Sequence, residues 1–290
     1  MQEKLYWIWL SKINGLGSIK IQKLLQTYKT PENIWKQPKE SLLEVDGIGE
    51  VLAEEITNPI YRIGLEQEFK EMTNYGIDII TVQDIDYPEK IRNIYDYPIV
   101  LYYKGNKKIL NDFSIGIIGC RNCTKYGEKT AKNVAYSLAK CGINITSGLA
   151  RGIDTCSHLG CLNANGKTIA VVGNGLDNVY PYENKKVIEE IIDKKGVILS
   201  EYPIKTKPNP RNFPARNRII SGLSDGIVVV EAKEKSGTLI TVDFALEQGK
   251  NVYVVPGNID SENSKGTNDL IKQGAKVITC LNDILEDYMY

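Results

Sequence analysis

Histidine is nearly absent: the chain of 290 residues contains one, His158. A hydrolase built on a Ser-His or Cys-His pair would have to use it. Net charge is absent as well, with 36 Lys and Arg set against 36 Asp and Glu. Overall charge therefore gives no nucleic-acid affinity, and any phosphate binding has to come from local clustering. No apolar run approaches a membrane span, and the one in the N-terminal "MQEKLYWIWLSKINGLG" is too short for a signal peptide. The expected location is the cytoplasm. Six cysteines in a chain this long fit reduced thiols better than a disulfide framework. There is no low-complexity segment and no long charge run. The dinucleotide fingerprint is missing too: "GIIGCRNCTKYG" has no G-x-G-x-x-G, and the next strand offers no well-placed acid for a ribose. No cofactor is expected.

What is present reads in two parts. Hydrophobic residues are 42% and charged residues 25%, ordinary for a globular chain, and the length suits two domains. Residues 1–70 carry apolar residues at helical spacing. Within them "INGLGSIKIQKLL" and "VDGIGEVLAEEI" share an apolar-x-Gly-apolar-Gly turn followed by an amphipathic helix. That pattern is similar to the helix-hairpin-helix motif, whose helix start suits a phosphate. A small bundle held by two glycine turns accounts for it equally well, since the second hairpin carries Glu50, Glu54 and Glu55. From residue 75 to 290, β-rich runs such as "FSIGIIG", "TIAVVG" and "GIVVVEA" alternate with helix-like segments. Val and Ile without polar alternation imply strands covered on both faces. The expected fold is α/β: a doubly wound, mainly parallel, Rossmann-like sheet after a small helical domain.

Ligands of open parallel sheets bind beyond the carboxyl ends of the strands. The loops there combine glycine, small polar residues and cations: Arg121, Lys125, Arg151, Lys185, Lys186, Arg211, Arg216, Arg218, Lys233 and Lys235. A row of cations along one edge suits several phosphates in series. Cys120-x-x-Cys123 and Cys156-x-His158-x-x-Cys161 have a metal-like look, but five residues along a helix do not share a face well, and no metal site is expected. His158 lies four residues after Asp154, which predicts a local structural pair.

The stretch "RNFPARNRIISGLSDGIVVVEA" sets Arg211, Arg216 and Arg218 around Phe213 and Asn217, in a loop ahead of a buried strand. Guanidinium groups suit phosphates, a phenyl ring can stack on a base, and an amide can meet a base edge. The competing reading is a loop tied down by Arg–carboxylate pairs with Phe213 in the core. Even with DNA bound, one of the three arginines can be structural.

With "GCRNCTKYG", "SGLARGIDTCSH", "VVGNGLDNVYPYENKK", "LSEYP" and "VYVVPGNI", these residues resemble the DNA processing protein A (DprA/Smf) family, in unbroken order over about residues 80–285. The resemblance implies an extended Rossmann fold that binds single-stranded DNA, protects it and loads the RecA recombinase in natural transformation, without catalytic turnover. The family's G-S-R arginine corresponds to Arg121, its basic position after Y-P to Lys185, its F-P-x-R-N motif to Phe213, Arg216 and Asn217, and its basic position before S-G-[ST] to Lys235. Cys120 stands where the family usually has Ser. A C-terminal winged-helix-like domain found in some members is expected to be lacking. Members dimerise through the C-terminal part of the Rossmann domain, which implies Leu270, Ile271 and Val277 here; a helix packing that face on its own sheet is the alternative. Two other function classes stay open: a Rossmann-like enzyme of the phosphoribohydrolase kind and a mononucleotide sensor.

Overall fold

Apolar residues at helical spacing fold the front of the chain into six helices: α1 (Gln2–Lys12), α2 (Ser18–Tyr28), α3 (Pro31–Trp35), α4 (Lys39–Leu43), α5 (Glu50–Thr57) and α6 (Leu65–Asn74). The computed structural model describes residues 2–288. Both glycine turns use left-handed backbone, with φ of 73° at Gly15 and 85° at Gly47. At the first hairpin, the Ser18 hydroxyl at the start of α2 donates to Glu201 at 3.3 Å. That helix start thus faces a carboxylate of the chain itself. At the second, Glu50 and Glu54 both hold Lys39, at 2.6 and 2.7 Å. Trp7 and Trp9 centre a core that continues into Ile77, Ile79, Val100, Tyr102 and Ile204. Packing therefore crosses from α6 into the first strands of the sheet.

The β-rich runs form one sheet of nine strands: β1 (Asp78–Thr81), β2 (Val100–Gly105), β3 (Ser114–Ile118), β4 (Asn144–Ser147), β5 (Thr168–Val172), β6 (Val197–Ser200), β7 (Gly226–Val229), β8 (Asn251–Val254) and β9 (Lys276–Val277). Their order is β1-β2-β6-β5-β4-β3-β7-β8-β9. From β6 to β9 all neighbours are parallel, and β1 and β2 extend the β6 side antiparallel. Every residue of β3 to β7 is buried, as unalternated apolar strands require.

The remaining helices are α7 (Glu89–Arg92), α8 (Lys125–Lys140), α9 (Ile153–Asn163), α10 (Lys185–Asp193), α11 (Asn212–Leu223), α12 (Gly237–Glu247), α13 (Lys265–Lys272) and α14 (Asn282–Leu285). Alternate strand residues feed opposite layers. Ile115 and Ile117 join Ala131, Ala135 and Leu138 of α8, while Ile118 joins Ile219 and Leu223 of α11 and Val242 of α12. The chain steps from β3 through β4 and β5 to β6 on one side, then returns to β7 on the other. The strand order reverses between β3 and β7, and a crevice opens beyond their carboxyl ends.

The expected arginine-rich loop is not a loop. Asn212 to Leu223 is helical, and Pro214 sits in the first turn, where a backbone N–H has no helical acceptor to lose. Burial of Ile219, Ile220 and Leu223 against the sheet stabilises the helix by about 1.5–3 kcal/mol for each side chain. Proline-rich sequence ahead of it (Pro208, Pro210) marks the approach, not the element itself.

Candidate nucleic-acid interface

The crevice between β3 and β7 widens into a cleft of about 650 Å³. Cys120, Arg121 and Asn122 enter from the loop after β3. Tyr180 enters from the loop after β5, Phe213, Arg216 and Asn217 from α11, Lys233 and Ser236 from the loop after β7, and Gly237 and Thr238 from the start of α12. The Arg121 guanidinium carbon lies 5.3 Å from the Phe213 ring centroid. On the ring's side, Tyr180 stacks at 5.6 Å between centroids and 27° between planes. A Cβ on Gly173 would fall 3.0 Å from the Phe213 ring, so the bare backbone there is what lets the ring settle over β5.

Arg216 has a different task. It is 4% exposed, donates from Nη1 to the Gly148 carbonyl at 2.6 Å and also to the Val171 carbonyl, and donates from Nε to Asn217 at 3.2 Å. It ties the ends of β4 and β5 to α11 and forms the cleft floor. Burial pulls it down to about 10, opposed by the nearby Asp154. Burial pushes Asp154 up to about 6, against the pull of Arg216 and of the Ala150 N–H. The i, i+4 pair expected between Asp154 and His158 does not form. His158 Nδ1 meets the Thr168 hydroxyl at 2.7 Å, and that hydroxyl donates to the Ile145 carbonyl, so the imidazole carries its proton on Nδ1. Its role is structural, with a different partner. Among the described residues no cluster of His, Cys, Asp or Glu is arranged to hold a metal.

The other expected residues divide. Arg211 is exposed at the start of α11, next to cleft-lining Pro210. Lys185 is exposed at the start of α10, and Lys235 on the loop that carries Lys233. Among the described residues no carboxylate lies within 4.0 Å of Arg121, Lys185, Arg211, Lys233 or Lys235. Arg151 borders a small hollow with Arg121, Tyr180 and Phe213, but it is engaged: Nη2 and Nε reach one Glu183 oxygen at 2.7 and 3.1 Å. Arg218 does not line the cleft. It is 5% exposed, held by Glu201 at 2.7 Å and Asp96 at 2.9 Å, and braces α11 against the loops after β1 and β6. The tie-down by Arg–carboxylate pairs is thus real for Arg218 and absent for Arg121. Cys120 is buried beside the cleft, its thiol pushed up mainly by burial.

Tyr180 was not among the expected contacts. Its signal is the aromatic residue before Pro181 in "NVYPY", in a strand-end loop. Lys233 stood among the loop cations, yet the cleft is lined by Lys233 and not by Lys235. At the other side of the sheet, Leu270 is 8% exposed inside the core and Ile271 packs partly against it, while Val277 is 37% exposed on β9.

Comparison with known proteins gives the family and the fold. The model of the DNA recombination-mediator protein A family matches residues 78–289. Protein Smf of Synechocystis is 39% identical over 287 residues, covering 98% of this chain and 72% of that protein. The X-ray structure of DNA processing protein A from Streptococcus pneumoniae superposes with a TM-score of 0.87 at 36% identity, over 99% of this chain and 98% of that one. The Helicobacter pylori DNA processing protein A structure, described for its single-stranded DNA binding mode, gives a TM-score of 0.66 at 34% identity, over 74% and 99% of the two chains. Family match, relatives and fold coincide, and the chain belongs to the DNA processing protein A (DprA/Smf) family.

Proposed function

We propose that this protein binds single-stranded DNA in the crevice between β3 and β7, shields it there and hands it to a RecA-type recombinase. The observation that carries the reading is the Arg121–Phe213–Tyr180 stack at the cleft, with no acid on Arg121. A free cation beside stacked aromatic faces suits a base and its phosphate together. Arg211, Lys185, Lys233 and Lys235 extend the positive edge along the strand, and Arg216 and Asn217 form its floor. Arg151 joins when a phosphate replaces Glu183. Arg218 supports α11 and does not touch the strand. The family's description as a recombination mediator and the DNA-binding mode of the Helicobacter pylori relative support the same reading. Binding and hand-off need no turnover. A homodimer through the C-terminal part would rest on Val277 and Ile271, with Leu270 kept in the core.

The reading is tested by anisotropy of labelled oligo-dT over a salt series, with a duplex as control. Expected are preference for the single strand, little base preference and affinity that falls steeply with salt. No binding by the folded protein at low salt, or tighter binding of a mononucleotide than of oligo-dT, would reject it in favour of a small-nucleotide protein.

A further inference from the structure

One cation of the helical domain is partly buried with no counter-charge. Arg62 follows the short turn Pro59–Tyr61. Its guanidinium carbon lies 4.3 Å from the Trp35 ring centroid and 5.6 Å from that of Trp9. Nη2 donates to the Trp35 carbonyl at 2.8 Å, whereas Nε is enclosed and has no acceptor. Among the described residues no carboxylate lies within 4.0 Å of it. This is not a shortage of acids, because Lys4, Lys12, Lys23, Lys36 and Lys39 of the same domain all have carboxylate partners. Burial pulls Arg62 below its ordinary value. Beside it opens a cavity of about 910 Å³ bordered by Tyr6, Trp35, Arg62, Gln67 and Lys70. Lys70 is exposed and, among the described residues, also without an ion pair.

We infer that this cavity binds a small oxyanion carried on a flat ring, the chemistry of a nucleotide, with its phosphate on Arg62 and Lys70 and its ring against Tyr6 and Trp35. An oxyanion supplies the counter-charge that the chain does not, at the Nη1 end of the guanidinium, since the enclosed Nε is out of its reach. Tyr6 and Trp9 already pack edge to face on Trp35 and Arg62 covers it, so the ring loses water against what Tyr6 and Trp35 leave exposed. Glu66 also borders the cavity and repels an anion, which sets the phosphate on the side of the two cations. None of these residues lines the cleft between β3 and β7, so the inference stands apart from the single-strand reading. The ligand is either a free nucleotide or one nucleotide of a strand.

The sequence supplies a local reporter: its three tryptophans are Trp7, Trp9 and Trp35, all in this domain. Tryptophan emission of the full chain is titrated with thymidine 5′-monophosphate, with thymidine and with oligo-dT, corrected for absorbance by the probe. The monophosphate is expected to give a saturable change that thymidine reproduces about tenfold more weakly. The change persists in Arg121→Ala, weakens about tenfold in Arg62→Gln and several-fold in Lys70→Ala. Saturation by the monophosphate assigns a free nucleotide; a response to oligo-dT alone that survives Arg121→Ala assigns a strand. Should Arg62→Gln fail to fold, Lys70→Ala decides, since its side chain is exposed. The inference is overturned by silence of both phosphate-bearing probes, by equal response to thymidine, by loss of signal in Arg121→Ala, or by an unchanged Lys70→Ala.

Discussion

Among the N-terminal helices Lys39 sits between Glu50 and Glu54, Lys23 meets Asp46 and Lys12 meets Glu68. Along the carboxyl edge of the sheet, Arg121, Lys185, Lys233 and Lys235 meet no acid among the described residues. Both regions are rich in charge, and the chain as a whole is neutral. What separates them is the neighbour given to each cation. A lysine already beside a carboxylate gains little from a phosphate, whereas an unpaired one gains a full partner. Not every cation among the N-terminal helices is paired, since Lys20, Lys29 and Lys70 meet no acid among the described residues; Arg62 differs in lying against Trp35 and Trp9. The same distinction runs along α11, where Arg216 and Arg218 are consumed by carbonyls and carboxylates, Asn217 is held between Arg216 and the Gly237 carbonyl, and the open chemistry is left to Phe213.

The contrast predicts that Arg218→Ala acts on the fold. Removing it strands the partly buried Glu201, so stability should drop by about 3–5 kcal/mol, read from urea unfolding. The fraction that stays folded should bind oligo-dT with unaltered affinity, and a specific loss of affinity there would return Arg218 to the interface.

Acid should expose the buried polar layer beneath the cleft. Burial pushes His158 down to about 3, so the unfolded chain takes up the proton first. Stability from this group is complete above about pH 6.5 and is lost on acidification towards pH 3, by roughly 4 kcal/mol. Asp154, raised to about 6, works in the opposite sense, favouring the fold below that pH and weakening it as pH rises from about 4 to 6. His158→Asn should therefore leave a protein that is more stable near pH 4.5 than near pH 6.5. An unchanged acid slope would mean that the imidazole takes up a proton within the fold.

Phe213→Ala should cost about 1–3 kcal/mol of oligo-dT affinity with little change in its salt dependence, because a stacking face carries no charge. Arg121→Ala should instead flatten the salt slope, by about 0.7 if one phosphate is lost. Identical slopes for the two variants would dissolve the division of labour between ring and cation. Lys23→Ala, on the paired side of the comparison, should leave affinity and slope alone.

The smallest effect sharpens the comparison from within the site. Glu183→Gln gives Arg151 the freedom that Arg121 has, and affinity should rise a few-fold, with a steeper salt slope. A fall in affinity would mean that Glu183 aligns Arg151 rather than competing for it.

The sheet was legible in the sequence because Val and Ile runs such as "GIVVV" leave a strand no exposed face. That Arg121, Phe213, Arg216 and Asn217 would line one cleft was legible because the segments after the strands gather where strand order reverses. The start of α11 was hidden by prolines, which mark a loop and a first helical turn alike. Arg218 could not be told from its neighbours, because its partner Asp96 lies 122 residues earlier in the chain and only the fold brings them together. Tyr180 was overlooked for the same reason: its ring acquires meaning only once Phe213 lies beside it.

The two ends of the sheet differ in one further respect. On β1 the N–H groups of Ile79 and Thr81 donate to the carboxylates of Asp78 and Asp84, which blunts that border against another strand. The opposite border is β9, two residues long, with Val277 partly uncovered. Another chain finds little to pair with at either rim: on one the backbone N–H groups are held by carboxylates, and the other is too short to template a strand.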